Sequence, residues 1–278
     1  MYILCKNMSM IISYVQWKGG VGKSTLAVLT AALMDAVLVD LEPWAGATTW
    51  WAGRDAARIW QAPGGSPILG ALAKARPPKP RRGKAGRPDL IPSHEELLGL
   101  SSGDLPNTTT WAWSSSGKPT LLVSTPMGPQ PLAESLGTSI KVWAKDWGRD
   151  VVIDTPGGFG PLQDAALAAC DVAVLPVMLD QWSMPALRKM METYRHISRG
   201  LVVPNRVRQR REDNNWSEII MDPSVILKPF SLAPPVAESE LIHVATRPLN
   251  SARVPGAIRA QALGQLQELV ACIRGDQL

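Results

Sequence analysis

Lys18-Gly-Gly-Val-Gly-Lys-Ser-Thr25 is the stretch of this sequence with the clearest chemical capacity. Its glycines let the backbone curl until successive N–H groups converge on one anion. An apolar run precedes it and a helical pattern follows, so a helix N-terminus adds partial positive charge at the same point. Lys23 has the reach to meet the β- and γ-phosphates of a nucleotide, and the Ser24 hydroxyl can ligate Mg²⁺. Gly19, Gly20, Val21, Gly22 and Thr25 complete the cradle. One position departs from the pattern G-x-x-x-x-G-K-[ST], because Trp17 stands where the first glycine belongs. Three correctly placed glycines and two lysines in a strand–helix setting still set the stretch apart from an ordinary turn.

A phosphate cradle needs a rigid frame, and the rest of the chain predicts one. Short apolar runs at 11–16, 36–40, 120–124, 150–154, 171–176 and 200–204 read as strands. Helical patterns at 23–34, 131–147, 161–169, 184–198 and 255–274 lie between or after them. This alternation predicts an α/β fold with a mostly parallel sheet and helices on both faces. Several runs are continuous in Val, Ile and Leu, as expected of strands covered on both sides. Residues 61–118 break the rhythm: they are rich in Pro, Gly, Ser and basic residues. Within them, residues 74–87 carry seven cations and no carboxylate. Such a segment has little apolar area to offset its ordering entropy, so it reads as a mobile surface excursion.

Composition sets the outer bounds. A chain of 278 residues suits one large α/β domain or two small ones, and we read 1–278 as a single domain with a basic insertion at 61–118. Its 45% hydrophobic and 19% charged residues are globular values, which exclude wholesale disorder. Cys5, Cys170 and Cys272 are scattered, against a disulfide framework or a cysteine-rich metal site and in keeping with a reducing cytoplasm. No apolar run approaches the ~18–20 residues that span a bilayer. Residues 1–12 contain Lys6 and lack a small-residue cleavage site, so they do not read as a signal peptide, and Met8 or Met10 is a possible start.

The pattern K-G-G-x-G-K-[ST] resembles the deviant Walker A motif of the ParA/MinD/nitrogenase-iron-protein group of P-loop ATPases. That resemblance implies a Rossmann-like P-loop fold, ATP and Mg²⁺ as ligands, and a sandwich homodimer in which Lys18 touches phosphates bound by the partner subunit. A second ammonium would stabilise charge on the transferring phosphoryl group only when two subunits meet. Residues 37–49 resemble the strand and switch I stretch D-x-D-P-x-x-x-A-T, which implies catalytic roles for Asp40 and for Glu42 as orienter of the attacking water. Glu stands at that position in place of the usual Asp. One extra methylene displaces the carboxylate, and displacements of this size can cost ~100-fold in rate, so hydrolysis is expected to be slow. Residues 151–158 resemble the Walker B strand and switch II, with Asp154 holding Mg²⁺ through water and Gly157 in place of a second proline. An acid at the carboxyl end of a parallel strand lies where open α/β sheets bind ligands. Residues 201–206 resemble the strand whose terminal asparagine, here Asn205, reads the adenine edge with a donor and an acceptor. Residues 234–240 resemble the loop flanking the base. The likeness runs from about residue 11 to 273 and explains 61–118 least.

A nucleotide switch needs a readout. A cluster shared between nitrogenase-like subunits needs two suitably placed cysteines from each, which this chain does not offer. Residues 257–273 make a one-sided apolar helix, but its polar face lacks the lysines and arginines of a membrane-surface helix. Packing against the sheet is its expected role, and a MinD-like membrane regulator is the alternative reading. A nucleotide-bound scaffold with negligible turnover is another. Cations gather instead at 74–87 and at Arg206, Arg208, Arg210 and Arg211, with Arg253 and Arg259 nearer the end. Such residues give sequence-independent, salt-sensitive contacts to DNA phosphates. The expectation is therefore a ParA-type ATPase for plasmid or chromosome partition or cargo positioning. It would bind non-specific DNA as an ATP dimer, be triggered by a ParB-like or cargo adaptor protein, and reside in the cytoplasm on the nucleoid. Trp143 and Trp147 sit at core-packing spacing, while Trp50, Trp51 and Trp60 follow switch I and could line a partner surface.

Overall fold

A strand covered on both faces must be apolar throughout, and β1 (Ile11–Gln16) is buried at every position. A computed structural model describes residues 9–84, 86–102, 109–113, 119–180, 183–207, 226–237 and 256–276. From β1 the chain enters α1 (Lys23–Leu33) and returns in β2 (Val37–Asp40), then passes through α2 (Gly46–Ala52) and α3 (Ala56–Trp60). Next come α4 (Pro67–Lys74), β3 (Asp89–Ile91), α5 (Glu96–Ser102), β4 (Thr109–Trp113), β5 (Pro119–Thr125) and β6 (Gly128–Pro131). The second half alternates more regularly: α6 (Leu132–Trp147), β7 (Val151–Gly157), α7 (Pro161–Ala169), β8 (Val172–Val177), α8 (Ser183–Thr193) and β9 (Gly200–Val207). The described chain ends with β10 (Phe230–Leu232), β11 (Val236–Ala237) and α9 (Gly256–Arg274).

The main sheet is parallel and runs β10-β9-β8-β1-β7-β2-β3, with β11 paired to the far end of β9. Side chains alternate across it. Ile11, Val37, Val39 and Ile153 pack on one face with Leu136, Ile140 and Trp143 of α6 and Ala165 of α7. Ile12, Tyr14, Leu38 and Val152 pack on the other with Leu26 and Leu29 of α1 and Leu266, Leu269 and Ile273 of α9. The terminal helix therefore covers the sheet, as its one-sided pattern predicted. Among the described residues no helix is long and apolar enough to cross a membrane. Trp143 is buried and Trp147 packs against the same cluster, so both belong to the core.

Two expectations are corrected. Residues 120–124 form a strand, but in a separate antiparallel sheet ordered β4-β5-β6. Leu121 and Val123 are buried while Leu122 between them is only partly so, the alternation of a strand with one covered face. The excursion at 61–118 is not simply an irregular appendage. Ser66 caps α4 by accepting from Leu69 N at 3.3 Å, with Pro67 in the first turn. β3 adds a parallel edge strand to β2, pairing Val37 with Asp89 and Val39 with Ile91. Leu69, Leu72, Ile91 and Leu97 bury into the main core. Apolar positions spaced outside the basic run supply the burial that the run itself lacks.

Candidate nucleotide site

The chemically competent side chains collect toward the carboxyl ends of β1, β2 and β7, the end where parallel sheets receive ligands. The loop after β1 turns through Gly20 at φ 76° and Gly22 at φ 93°, a left-handed region that residues with a Cβ adopt at a cost. Gly22 precedes α1 with no side-chain cap, and no acid stands in the first turn, so the helix N–H groups and dipole remain for an anion. Lys23 is buried at this point. Desolvation pulls its pKa down, while Asp154 and Glu42 nearby pull it back up. Trp17, in place of the pattern's first glycine, stacks on Phe159 of the loop after β7 with ring centroids 3.9 Å apart. It thus ties the phosphate loop to the loop that follows β7.

Asp40 closes β2 and faces Asp154 of the neighbouring β7 in register. Both are fully buried, yet their surroundings differ. Asp40 Oδ1 accepts from Glu42 N at 3.0 Å, and Oδ2 accepts from Thr48 N and Thr48 Oγ1, each at 2.7 Å. Burial still pushes its pKa up to about 7, against the lowering effect of those hydrogen bonds. Among the described residues Asp154 has no hydrogen-bond partner on either oxygen. Burial and the neighbouring Asp40 raise its pKa well above the usual carboxylate range, only partly relieved by the nearby Ser24 and Lys23. A buried acid without partners is costly unless something binds there. Gly46 closes the same space: a methyl group on it would lie 2.7 Å from Ser24 Oγ and 3.8 Å from Asp154 Oδ2. Orphaned carboxylate, hydroxyl and close backbone form an oxygen-rich pocket of the kind that fits Mg²⁺.

The segment from Glu42 to Thr48, expected to be switch I, is pinned from several sides. Ser93, which follows β3, donates from Oγ to Glu42 O at 2.7 Å and from N to Thr48 Oγ1 at 3.0 Å. Trp60 Nε1 donates to Pro43 O at 3.0 Å. Glu42 folds its own carboxylate back, accepting from Trp44 N at 3.3 Å, and burial raises its pKa. Thr48 and Ser93 are neighbours of the site that sequence reading did not single out, and Trp60, expected to line a partner surface, instead bonds inward to Pro43. Ser93 lies 51 residues from Glu42, and no local pattern marks it. Trp50 and Trp51 pack against the core, and Trp51 Nε1 donates to Pro88 O. The tryptophans after switch I therefore act inward.

Lys18 is engaged within its own chain. Its Nζ donates to Asp180 Oδ2 at 2.8 Å and to Ser183 Oγ at 3.0 Å, while Asp180 Oδ1 accepts from Ser183 N. These donors hold the Asp180 carboxyl below its usual range although partial burial opposes them. Asn205, expected to read the adenine edge, makes a contact within the chain. Its Nδ2 donates to Val21 O at 2.6 Å, and a methyl group on Gly22 would come within 2.2 Å of that nitrogen. The amide props the phosphate loop, and Arg206 after it takes φ 57° to turn the chain. β11 pairs Val236 with Asn205, which puts the 234–237 stretch beside the prop. Arg208, Arg210, Arg211, Arg253 and residues 238–240 lie outside the described residues, as does the Arg259 side chain.

No family model matches the chain. The chromosome-partitioning ATPase Soj of Thermus thermophilus is 26% identical over 196 residues, covering 68% of this chain. The matched stretch spans 63% of Soj's own length. A plasmid partition protein of Borrelia burgdorferi bound to AMPPNP superposes with a TM-score of 0.65 at 17% identity, over 95% of this chain and 99% of that one. The ATP complex of a point variant of McdA from Cyanothece gives 0.65 at 15%, over 94% and 96%. Cobyrinic acid a,c-diamide synthase of Mycobacterium smegmatis with ADP and magnesium gives 0.62 at 19%, over 94% and 96%. At these identities the solved structures speak for the fold alone. In motif, in sequence and in fold, the chain resembles the ParA/MinD-type P-loop ATPases.

Proposed function

We propose that this chain is a ParA-type ATPase serving plasmid or chromosome partition or cargo positioning. The observation that carries the reading is the buried, unpartnered carboxylate of Asp154 beside Ser24, at a phosphate loop that also bears Lys18. Lys23 and the N–H groups of residues 19–25 hold the phosphates of ATP. Ser24 and Asp154 would hold Mg²⁺, Asp154 through water, and the ion would supply neutralising charge to the nucleotide phosphates. Asp40 keeps the Glu42 peptide in place, and Glu42 orients the attacking water. Its longer side chain and the turn back to Trp44 N support slow hydrolysis. Asn205 keeps its amide oxygen for the adenine edge, since its nitrogen already serves Val21.

Lys18 gives the switch its dimer dependence. In one subunit it rests on Asp180. When two ATP-loaded copies meet, it leaves that carboxylate and stabilises charge on the phosphates of the opposite site. The sandwich dimer binds duplex DNA without sequence preference, and a ParB-like or cargo adaptor protein stimulates hydrolysis and release, which puts the protein on the nucleoid in its ATP state.

The test is oligomeric state and duplex binding, measured with ATP, with ADP and without nucleotide across a salt series. ATP-dependent dimerisation and binding that weakens steeply with salt are the expected result. ATP-loaded protein that stays monomeric at micromolar concentration would remove the centre of the mechanism. Dimerisation with DNA ignored in every state would move the readout to a membrane or a protein scaffold.

A further inference from the structure

The basic run that follows α4 is folded back on the free edge of the parallel sheet. Arg81 N and O pair with Leu90 O and N at 2.8 and 2.9 Å, an antiparallel bridge onto the edge strand β3. Asp89 anchors the turn: it accepts from Gly83 N at 2.8 Å, Arg82 Nη1 at 3.0 Å and Arg149 Nη1 at 2.7 Å. Gly83 passes so close to the returning chain that a methyl group would lie 2.0 Å from Arg87 O. Trp51 Nε1 donates to Pro88 O, and Arg87 Nη1 donates to Trp51 O, each at 2.7 Å. Pro77, Pro78 and Pro80 fix backbone torsions on the way in, and Pro78 and Pro88 are buried against the body.

Every cation of this strap is exposed. The side chains of Arg76, Lys79 and Lys84 make no hydrogen bond or ion pair among the described residues, and Arg82 keeps 83% of its side chain exposed beside Asp89. Asp89 itself is buried, so no exposed carboxylate within the strap screens the cluster. A solvated loop of like charges would spread out; here backbone bonds hold the charges together on one ordered edge. Binding then costs less ordering entropy than it would for a free basic tail. We propose that this strap is a contact surface for the phosphate backbone of duplex DNA. This rests on the DNA-binding reading above and assigns the surface that carries it to the sheet edge, apart from the arginines after β9.

A lipid surface is the competing polyanion. A segment that docks on membrane adds apolar side chains that enter the interface. The large exposed apolar residues among those described are Trp44, Met127, Val142 and Phe159, none of them in the strap. The strap offers charge and proline, which suits a phosphate backbone read from outside.

The strap also has a physical route to the nucleotide site. β3 leads within two residues from Ile91 to Ser93, whose side chain holds the Glu42 carbonyl. Contact at the strap and the arrangement of switch I therefore share one short, hydrogen-bonded element.

The experiment compares wild type with the triple variant Arg76→Gln, Lys79→Gln, Lys84→Gln in binding labelled duplex DNA with ATP and Mg²⁺ across a salt series. Each lost phosphate contact lowers the slope of log K against log salt by about 0.9, so the triple variant is expected to lose ~2–3 from it. Affinity at fixed salt is expected to fall on the order of 10-fold or more. ATP binding stays unchanged, because none of the three residues touches the nucleotide site. An unaltered slope in the variant, with wild type binding normally, overturns the strap as the surface and leaves the ATPase reading intact. A wild type that binds duplex in no nucleotide state overturns the DNA readout and this surface together. Anionic vesicles losing the variant while DNA retains it would reassign the strap to membrane.

Discussion

Asp40 and Asp154 stand opposite each other on β2 and β7, equally buried, and their hydrogen bonding divides them. Asp40 accepts three hydrogen bonds and through them holds the Glu42 peptide and the start of α2. Asp154 accepts none among the described residues. Burial penalises both charges; three hydrogen bonds offset it at Asp40, while at Asp154 the nearby Ser24 and Lys23 offset it only in part. A satisfied buried acid is architecture; an orphaned one implies a ligand. The contrast separates two residues that a strand-end position alone presents as equivalents.

Exchanging each acid for its amide breaks the comparison most directly. Asp154→Asn is expected to lower Mg²⁺-dependent phosphate release on the order of 100-fold or more, since charge at the transferring group loses its support. At alkaline pH, where the buried carboxyl is forced to ionise, the same change should raise the melting temperature of the ligand-free protein, because the cost of that buried charge disappears. Asp40→Asn should lower it, with a stability loss of about 1–3 kcal/mol, as donors lose their acceptor. Like-signed shifts in calorimetry would erase the distinction.

Glu42→Asp sharpens the picture at the next scale. The Glu42 peptide is fixed by Asp40 and Ser93 and the next carbonyl by Trp60, so the loop has little freedom to absorb a change in side-chain length. Shortening the side chain is expected to raise single-turnover hydrolysis about 10-fold. Equal rates in the two proteins would point to a scaffold without meaningful turnover.

The pH dependence of stability should carry the mark of both acids. Their folded-state pKa values are raised, Asp40 to about 7 from an ordinary 3.8. The folded protein therefore retains protons that the unfolded chain releases. For Asp40 the stabilising contribution is full below about pH 4 and is lost as pH rises through about 7. In Mg²⁺-free buffer the melting temperature should drop by several degrees between about pH 5.5 and pH 8. Asp40→Asn should flatten that slope, and a profile identical to wild type would count against the assignment.

The smallest effect expected is at Ser93. Ser93→Ala removes the bond to Glu42 O while leaving every nucleotide contact in place. A few-fold loss in kcat with KM unchanged is the expected pattern, the signature of misplaced chemistry with intact binding. A change in KM alone would make Ser93 merely structural.

Much of this was written locally. The glycines and lysines of 18–25, the apolar runs of β1, β7 and β8 and the span of α7 all follow from residues close in sequence, because loop curvature, strand burial and helix periodicity are short-range properties. The sequence also concentrated charge at 74–87. Tertiary structure decided what distant segments do to one another. It turned 120–124 into an antiparallel strand, since an apolar run specifies burial but not the direction of its neighbour. It fastened the basic strap to a sheet edge, placed Lys18 on Asp180, and set Asn205 under the phosphate loop across 184 residues of chain. Above all it gave Asp40 its donors and left Asp154 without any among the described residues. Hydrogen-bond satisfaction depends on which groups meet in space, and spacing along the chain does not encode that meeting.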